Sequence, residues 1–166
     1  MNYFSGKRFF KVLNAANYRN GYEYETGLND LSKYIGVDGE PFQCFFTDIE
    51  HIFAYVYYGP CFREIIIPDT CGIINFYGEH MSPDSELIPG WYSDKLILGD
   101  LKLWTVDNVK WLIENGADIS VENYQIVCWA LNYNFEIFYF LQEYICEQSE
   151  ELWNNILVDL QYKGFL

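Results

Sequence analysis

The chain has 166 residues and a formal net charge of −14, from 10 Lys and Arg against 24 Asp and Glu. It is 51 % hydrophobic and 20 % aromatic, which excludes disorder as its global state and allows one ordinary domain, or two small ones sharing a core. The acid excess argues against nucleic acid and anionic membranes as partners, because both are held by cations that neutralise phosphate.

Five cysteines are an odd number, and none forms C-x-x-C. Residues 1–11 carry charge among their aromatics, unlike a signal peptide, and no uncharged apolar run reaches ~18 residues. The expectation is reduced thiols, buried as small hydrophobes in a cytosol-like compartment, with no membrane segment.

Along the chain, residues 7–14 alternate around Phe9, Phe10, Val12 and Leu13 and predict a first strand. Residues 17–30 read as turns, with Asn20-Gly21 the strongest pair and Gly27-Leu28-Asn29 following; residues 36–41 read as a loop. Residues 42–46 predict a strand running into Thr47-Asp48-Ile49-Glu50. That spacing matches a capping box, so Thr47 is expected to cap a helix reaching about Tyr57, broken by Gly59-Pro60. Residues 61–67 predict a central strand and residues 71–77 another. Residues 78–90 predict a flexible loop, and residues 91–98 one last strand closed by Gly99.

After Gly99 the period becomes helical. Val109, Leu112 and Ile113 form an apolar stripe, Thr105 is a candidate N-cap, and Gly116 is a stop signal. Residues 116–123 predict an extended turn, residues 124–132 a short helix and residues 135–146 a longer one. Leu152, Trp153, Ile156, Leu157 and Leu160 mark a closing helix. The segment from Asp107 to Glu114 superimposes on that from Glu136 to Glu143 with an offset of 29 residues, which fits a helix–turn–helix repeat.

At these residues the chain resembles the ankyrin-repeat proteins of giant DNA viruses of amoebae. Residues 109–119 look like a second repeat helix with its G-A-D-I turn. Glu122-Asn123 and Trp129-Ala130 look like the next turn and first helix, and residues 136–141 like the following second helix. Gly27-Leu28-Asn29, Phe45-Phe46-Thr47, Arg63-Glu64 and residues 94–99 look like the leader domain of the same proteins.

The resemblance implies an α+β fold: a small mixed leader domain over residues 1–99, then a truncated ankyrin-like helical segment over residues 100–166. The usual Gly-His between repeat helices is cut to Tyr133-Asn134, so Asn134 is expected to take the tight conformation a Gly supplies. The array stops after about one and a half units, which leaves the leader domain and residues 148–160 to cap it.

The function implied is a non-enzymatic protein–protein interaction module, with a host or viral protein as partner, the host cytoplasm as location and no cofactor. By the same alignment the binding face is Ser120, Glu122, Asn123, Gln125 and Cys128. Asp118 and Glu122 give that turn a negative potential, so a basic or polar protein segment is the expected ligand.

No Gly-rich phosphate loop, Ser-His-Asp order or H-E-x-x-H occurs, and His51 and His80 lack zinc-ligand spacing with the cysteines. The one arrangement similar to an enzyme is that of small ADP-ribosyltransferase-like folds. It would use Arg19, Thr47 and Glu64; against it, Thr47 would simply cap a helix and Glu64 would be an edge charge. Tyr22, Tyr24, Tyr55, Tyr57 and Tyr58 are too many for a small core to bury. An exposed aromatic patch for binding, or a homo-oligomer meeting through it, is a further alternative.

Overall fold

The computed structural model describes residues 6–14, 18–19, 22–35, 43–71, 74–79 and 88–166. The first expected strand forms as β1 (Phe9–Leu13). The expected turn region instead holds three strands: β2 (Tyr18–Arg19), β3 (Tyr22–Glu23) and β4 (Gly27–Asp30). β2 and β3 pair with each other. Gly27 and Asn29 are turn residues by type, yet Asn29 is buried in β4 and its side-chain amide donates to the carbonyls of Glu25 and Gly27. With the Glu25 amide donating to its side-chain oxygen, Asn29 closes the bend that leads into β4. The loop expected over residues 36–41 lies outside the described residues.

β5 (Cys44–Asp48) absorbs the supposed capping box. Thr47 caps nothing: its hydroxyl donates to the Pro89 carbonyl at 2.8 Å. Pairing of Phe9 with Asp48 and of Phe10 with Thr47 extends the strand past the local signal. The helix that follows is a 3-10 helix (Ile52–Tyr58), and the amide of His51 is taken by the Asp48 carboxylate. Gly59 ends it where the chain passes so close to Leu13 that an added Cβ would lie 1.8 Å from its carbonyl oxygen.

β6 (Cys61–Ile66) is central, as expected; β7 (Ile74–Glu79) follows. Most of the expected flexible loop, His80 included, lies outside the described residues. The single last strand is instead two, β8 (Ile88–Ser93) and β9 (Lys95–Leu98). They part at Asp94 because β8 pairs with β5 and β7, whereas β9 crosses to β6 and β4. The Asp94 carbonyl accepts from the Leu31 amide at 2.7 Å. The sheet order is β4-β9-β6-β1-β5-β8-β7, antiparallel throughout, and β10 (Lys102–Leu103) shares an edge of β6 with β9.

Four helices follow: α1 (Val106–Glu114), α2 (Val121–Tyr133), α3 (Phe135–Gln148) and α4 (Glu150–Tyr162). Thr105 caps α1 by accepting from the Asn108 amide. Asn134 is extended (φ −156°, ψ 91°), not tight. It caps the end of α2 through its backbone and the start of α3 through its side chain, so the missing residue is absorbed without strain. Leu112, Ile137, Leu141 and Ile156 are buried, while Ile113 and Leu157 are only half-buried.

The sheet separates two cores by strand alternation. Phe10, Phe62 and the 3-10 helix share one cluster with Trp104, Leu112, Leu141 and Trp153, so strands and helices bury each other. The opposite face gathers Phe9, Leu13, Phe46, Ile65, Trp91 and Leu98. On that face Lys11 and Arg63 stand opposite each other on β1 and β6, both buried. Lys11 donates to the Phe45 carbonyl and lies over the Tyr24 ring; Arg63 donates to Thr26 and to the Gly99 carbonyl.

Candidate protein-binding surface

The surface begins where α1 stops. Gly116 has φ +106°, which only Gly adopts readily. The Gly116 amide bonds the Ile113 carbonyl and the Ala117 amide the Leu112 carbonyl, the paired bonds of a Schellman ending, with Ala117 buried behind them. Asp118 then anchors the turn to the leader region by donating its amide to the Glu50 carbonyl at 3.1 Å. The Asp118 carboxylate accepts from both the amide and the hydroxyl of Ser120, at 2.8 and 2.7 Å.

Glu122, Asn123 and Tyr124 follow with φ of 50°, 53° and 61°, a left-handed run before the regular part of α2. For residues other than Gly this costs roughly 1–2 kcal/mol each, with Asn the more tolerant. The run turns the chain so that Gln125 meets the 3-10 helix, where its amide donates to the Ala54 carbonyl at 2.5 Å.

The five residues expected at the binding face therefore divide. Ser120 and Asn123 are exposed and Glu122 is half-exposed at the tip of the turn. Gln125 and Cys128 line the seam between α2 and the 3-10 helix, Cys128 buried. Burial pushes the Cys128 thiol above its ordinary pKa.

The enzyme-like alternative scatters. Thr47 is buried on the Pro89 carbonyl. Glu64 is held by Arg8 through two bonds of 2.7 and 2.9 Å. Arg19 lies in β2, on a separate two-stranded sheet from Thr47 and Glu64. Sequence reasoning missed Arg8 altogether. Its guanidinium also donates to Asn115 Oδ1 at 2.8 Å and lies 4.4 Å from the centre of the Trp111 ring, with Lys102 at 4.2 Å from the same ring. Donating to the Glu64 carboxylate raises the Arg8 pKa. No local motif marks this residue, because its partners lie 56 and 107 positions away.

Asp48, Glu50 and His51 bring potential ligand atoms within 4.8 Å of one another. One Asp48 oxygen meets His51 Nδ1 at 2.6 Å and the other meets Lys7 Nζ at 3.5 Å, so its carboxylate is already shared between a histidine and a lysine. Burial lowers the His51 pKa, but the bond to Asp48 and the charges of Asp48 and Glu50 outweigh it and the net shift is upward.

At the other end of the α2 seam lies an open crevice of about 550 Å³. Its wall is a chain of rings: Tyr57 to Tyr133 at 6.1 Å, Tyr133 to Trp129 at 6.0 Å, and Trp129 to Trp104 at 6.1 Å. Trp104 is fixed by donating its indole N–H to the Gly59 carbonyl. Tyr133 is 68 % exposed and Tyr57 46 %, so the expectation of exposed aromatics holds at Tyr57 and Tyr58, whereas Tyr24 and Tyr55 are buried. Among the described residues no helix is long and apolar enough to cross a membrane.

No family model and no solved structure matches the chain. Curated relatives do. Uncharacterized protein R869 of Acanthamoeba polyphaga mimivirus is 31 % identical over 143 residues, which covers 79 % of this chain and 94 % of the relative. Putative ankyrin repeat protein R868 of the same virus is 27 % identical over 79 % of this chain and 64 % of its own length. Putative ankyrin repeat protein R229, also of that virus, is 34 % identical over 64 % of this chain and 35 % of its own length. The chain thus spans about two thirds of one and one third of the other of these ankyrin-named relatives. Joined to a sheet-based leader region followed by helices with the ankyrin-like Gly116 ending, these likenesses show that the chain belongs to the Mimivirus-like ankyrin-repeat proteins.

Proposed function

We propose that the chain is a non-enzymatic protein–protein interaction module of a giant virus, acting in the host cytoplasm on a host or viral protein. In this reading residues 1–99 are the leader domain and residues 100–166 a truncated ankyrin-like segment packed on it. The observation that carries the proposal is the turn over residues 118–124. It is anchored at Glu50 and Ala54, held in a left-handed run, and presents Ser120, Glu122 and Asn123 outward beside Asp118. A rigid acidic tip suits a basic or polar protein segment and loses little freedom on binding. Gln125 and Cys128 act from behind it, holding its base against the 3-10 helix. The named relatives support an interaction role in general terms.

The test is recovery of partners from infected cells with the intact chain and with Glu122→Lys, which leaves the Gln125 anchor in place. Loss of a specific partner in the variant supports the turn as the interface; unchanged recovery places the interface elsewhere. Incubation with labelled NAD and host lysate is expected to leave nothing modified. Label transfer that disappears in Glu64→Ala would reverse the reading towards a transferase.

A second reading, a homo-oligomer, is favoured by one observation. Leu28, Ile97 and Ile66 form a row in register across β4, β9 and β6, and Leu28 and Ile66 are each 63 % exposed. Apolar residues in line beside an edge strand suit a second copy. Sedimentation of the intact chain and of Leu28→Glu distinguishes the two readings.

A further inference from the structure

Asp48, Ile49, Glu50 and His51 lead from the end of β5 into the 3-10 helix, and their backbone is clamped from two sides. The Ile49 amide donates to the Arg8 carbonyl at 3.0 Å, and the Glu50 carbonyl accepts from the Asp118 amide at 3.1 Å. This bend gathers three side chains of metal-binding type, whose ligand atoms all lie within 4.8 Å of one another. We propose that Asp48, Glu50 and His51 bind a divalent transition-metal ion of the zinc type. The site does not depend on the turn over residues 118–124 being an interface.

The first argument is the donor set. An imidazole nitrogen beside two carboxylate oxygens suits Zn²⁺, whereas Mg²⁺ and Ca²⁺ take oxygen ligands. Ligands about 2.1 Å from one ion stand about 3.4 Å apart at tetrahedral angles, so no pair here has to close by more than about 1.4 Å. Asp48 is buried and also accepts from the His51 amide, while Glu50 is exposed and can swing inward. With the backbone already held, little freedom is lost on binding.

The second argument is room. A crevice of about 250 Å³ opens beside Asp48 and Glu50, lined also by Lys7, Arg8 and Asn115. A water takes about 30 Å³, so an ion and the waters that complete its shell fit.

The third argument is charge. Of the two cations that line the crevice, Arg8 is engaged by the Glu64 carboxylate and Asn115. Lys7 Nζ has already been drawn to Asp48 Oδ2, but at 3.5 Å and with its side chain 40 % exposed against 5 % for Asp48. An ammonium held at that length in water is displaced at small cost. A doubly charged ion then faces two carboxylates where a single charge stood before. Such an ion ties the end of β5 to the 3-10 helix and, through Glu50, to Asp118 beyond α1. Spacing between histidine and cysteine gives no sign of it, because the three ligands are close neighbours in the sequence that the bend turns together.

The test titrates Zn²⁺ into the intact chain, stripped with a chelator and kept reduced with a phosphine, followed by isothermal calorimetry. Saturation at one ion per chain is expected. His51→Gln and Glu50→Gln should each weaken binding about ten-fold or more. Lys7→Met removes the competing charge and should tighten binding about three-fold or more, which a merely structural role for Lys7 would not do. The five cysteines are the rival ligands, so Co²⁺ is titrated in parallel and read by absorption. Weak visible bands are expected, without the intense near-ultraviolet band of a cobalt–thiolate bond. Circular dichroism checks that each variant keeps its fold. The proposal is overturned if the heat does not saturate, if the thiolate band accompanies cobalt, if His51→Gln binds unchanged, or if Lys7→Met fails to tighten binding.

Discussion

Helices α1 and α3 carry the same pattern 29 residues apart. Leu112 in one stands where Leu141 stands in the other, and both are fully buried; Val109 stands where Phe138 does. Their endings differ. The position of Gly116 after α1 corresponds to Ile145 in α3, so α1 closes after nine residues and α3 continues for fourteen. One ending turns the chain back to Glu50 of the sheet region; the other runs to Ser149, whose hydroxyl starts α4. A shared apolar register gives two helices the same place in a core. The residue at the end decides which neighbour each one meets, and here replacing one Gly terminates the repeat.

The most severe way to break this comparison is to remove the sheet. Residues 101–166 alone are expected to show no cooperative thermal transition by circular dichroism, because Phe10, Phe53 and Phe62 form part of the same cluster as both leucines. Next come the leucines themselves. Leu112→Ala and Leu141→Ala should each destabilise the intact chain by about 2–5 kcal/mol, measured by urea denaturation. If one costs much less than the other, the two helices are not equivalent in packing.

Smaller is the effect at the ending. Gly116→Ala should cost about 1–2 kcal/mol, since a Cβ at φ +106° is strained even though nothing lies within 4 Å of it. Amide exchange at Asp118 should rise with it. The smallest effect is a pH dependence confined to the α1 ending, where His51 and Asp48 flank Glu50. The raised His51 pKa means that its stabilisation is fully present below the ordinary imidazole value of about 6.5 and is lost as pH rises through the folded value. Denaturation at pH 5.5 and pH 8.5 should show this loss in the parent and not in His51→Gln. An equal loss in both would remove His51 from the account.

What was legible in the sequence was mostly local. Thr105, the Leu112 stripe and Gly116 state a helix, its start and its stop within twelve residues, and the structure follows them. The β-branched run of β6 likewise reads as a central strand. Thr47 and Glu50 state a capping box just as clearly, yet pairing with β1 carries Thr47 into the sheet. Partners far along the chain were invisible. Arg8 on Glu64 and Asn115 and Gln125 on the Ala54 carbonyl join segments that no short window contains. The left-handed run at residues 122–124 had no signal either, since neither Glu nor Tyr favours it. For the candidate surface, the turn itself was legible but the aromatic crevice was not. The rings of Tyr57, Trp104, Trp129 and Tyr133 come together only when the 3-10 helix and α2 pack.

Arg8 also shows how late in synthesis the core can close. It sits beside β1 near the start, and Asn115, which it bonds, emerges 107 residues later. At a synthesis rate of 5–20 residues per second, that gap is roughly 5–20 s. Phe10, and Phe62 from the midpoint of that interval, wait for α1, α2 and α3 to complete their cluster. The apolar face of the sheet is therefore the last part of the core to be closed as the chain is made.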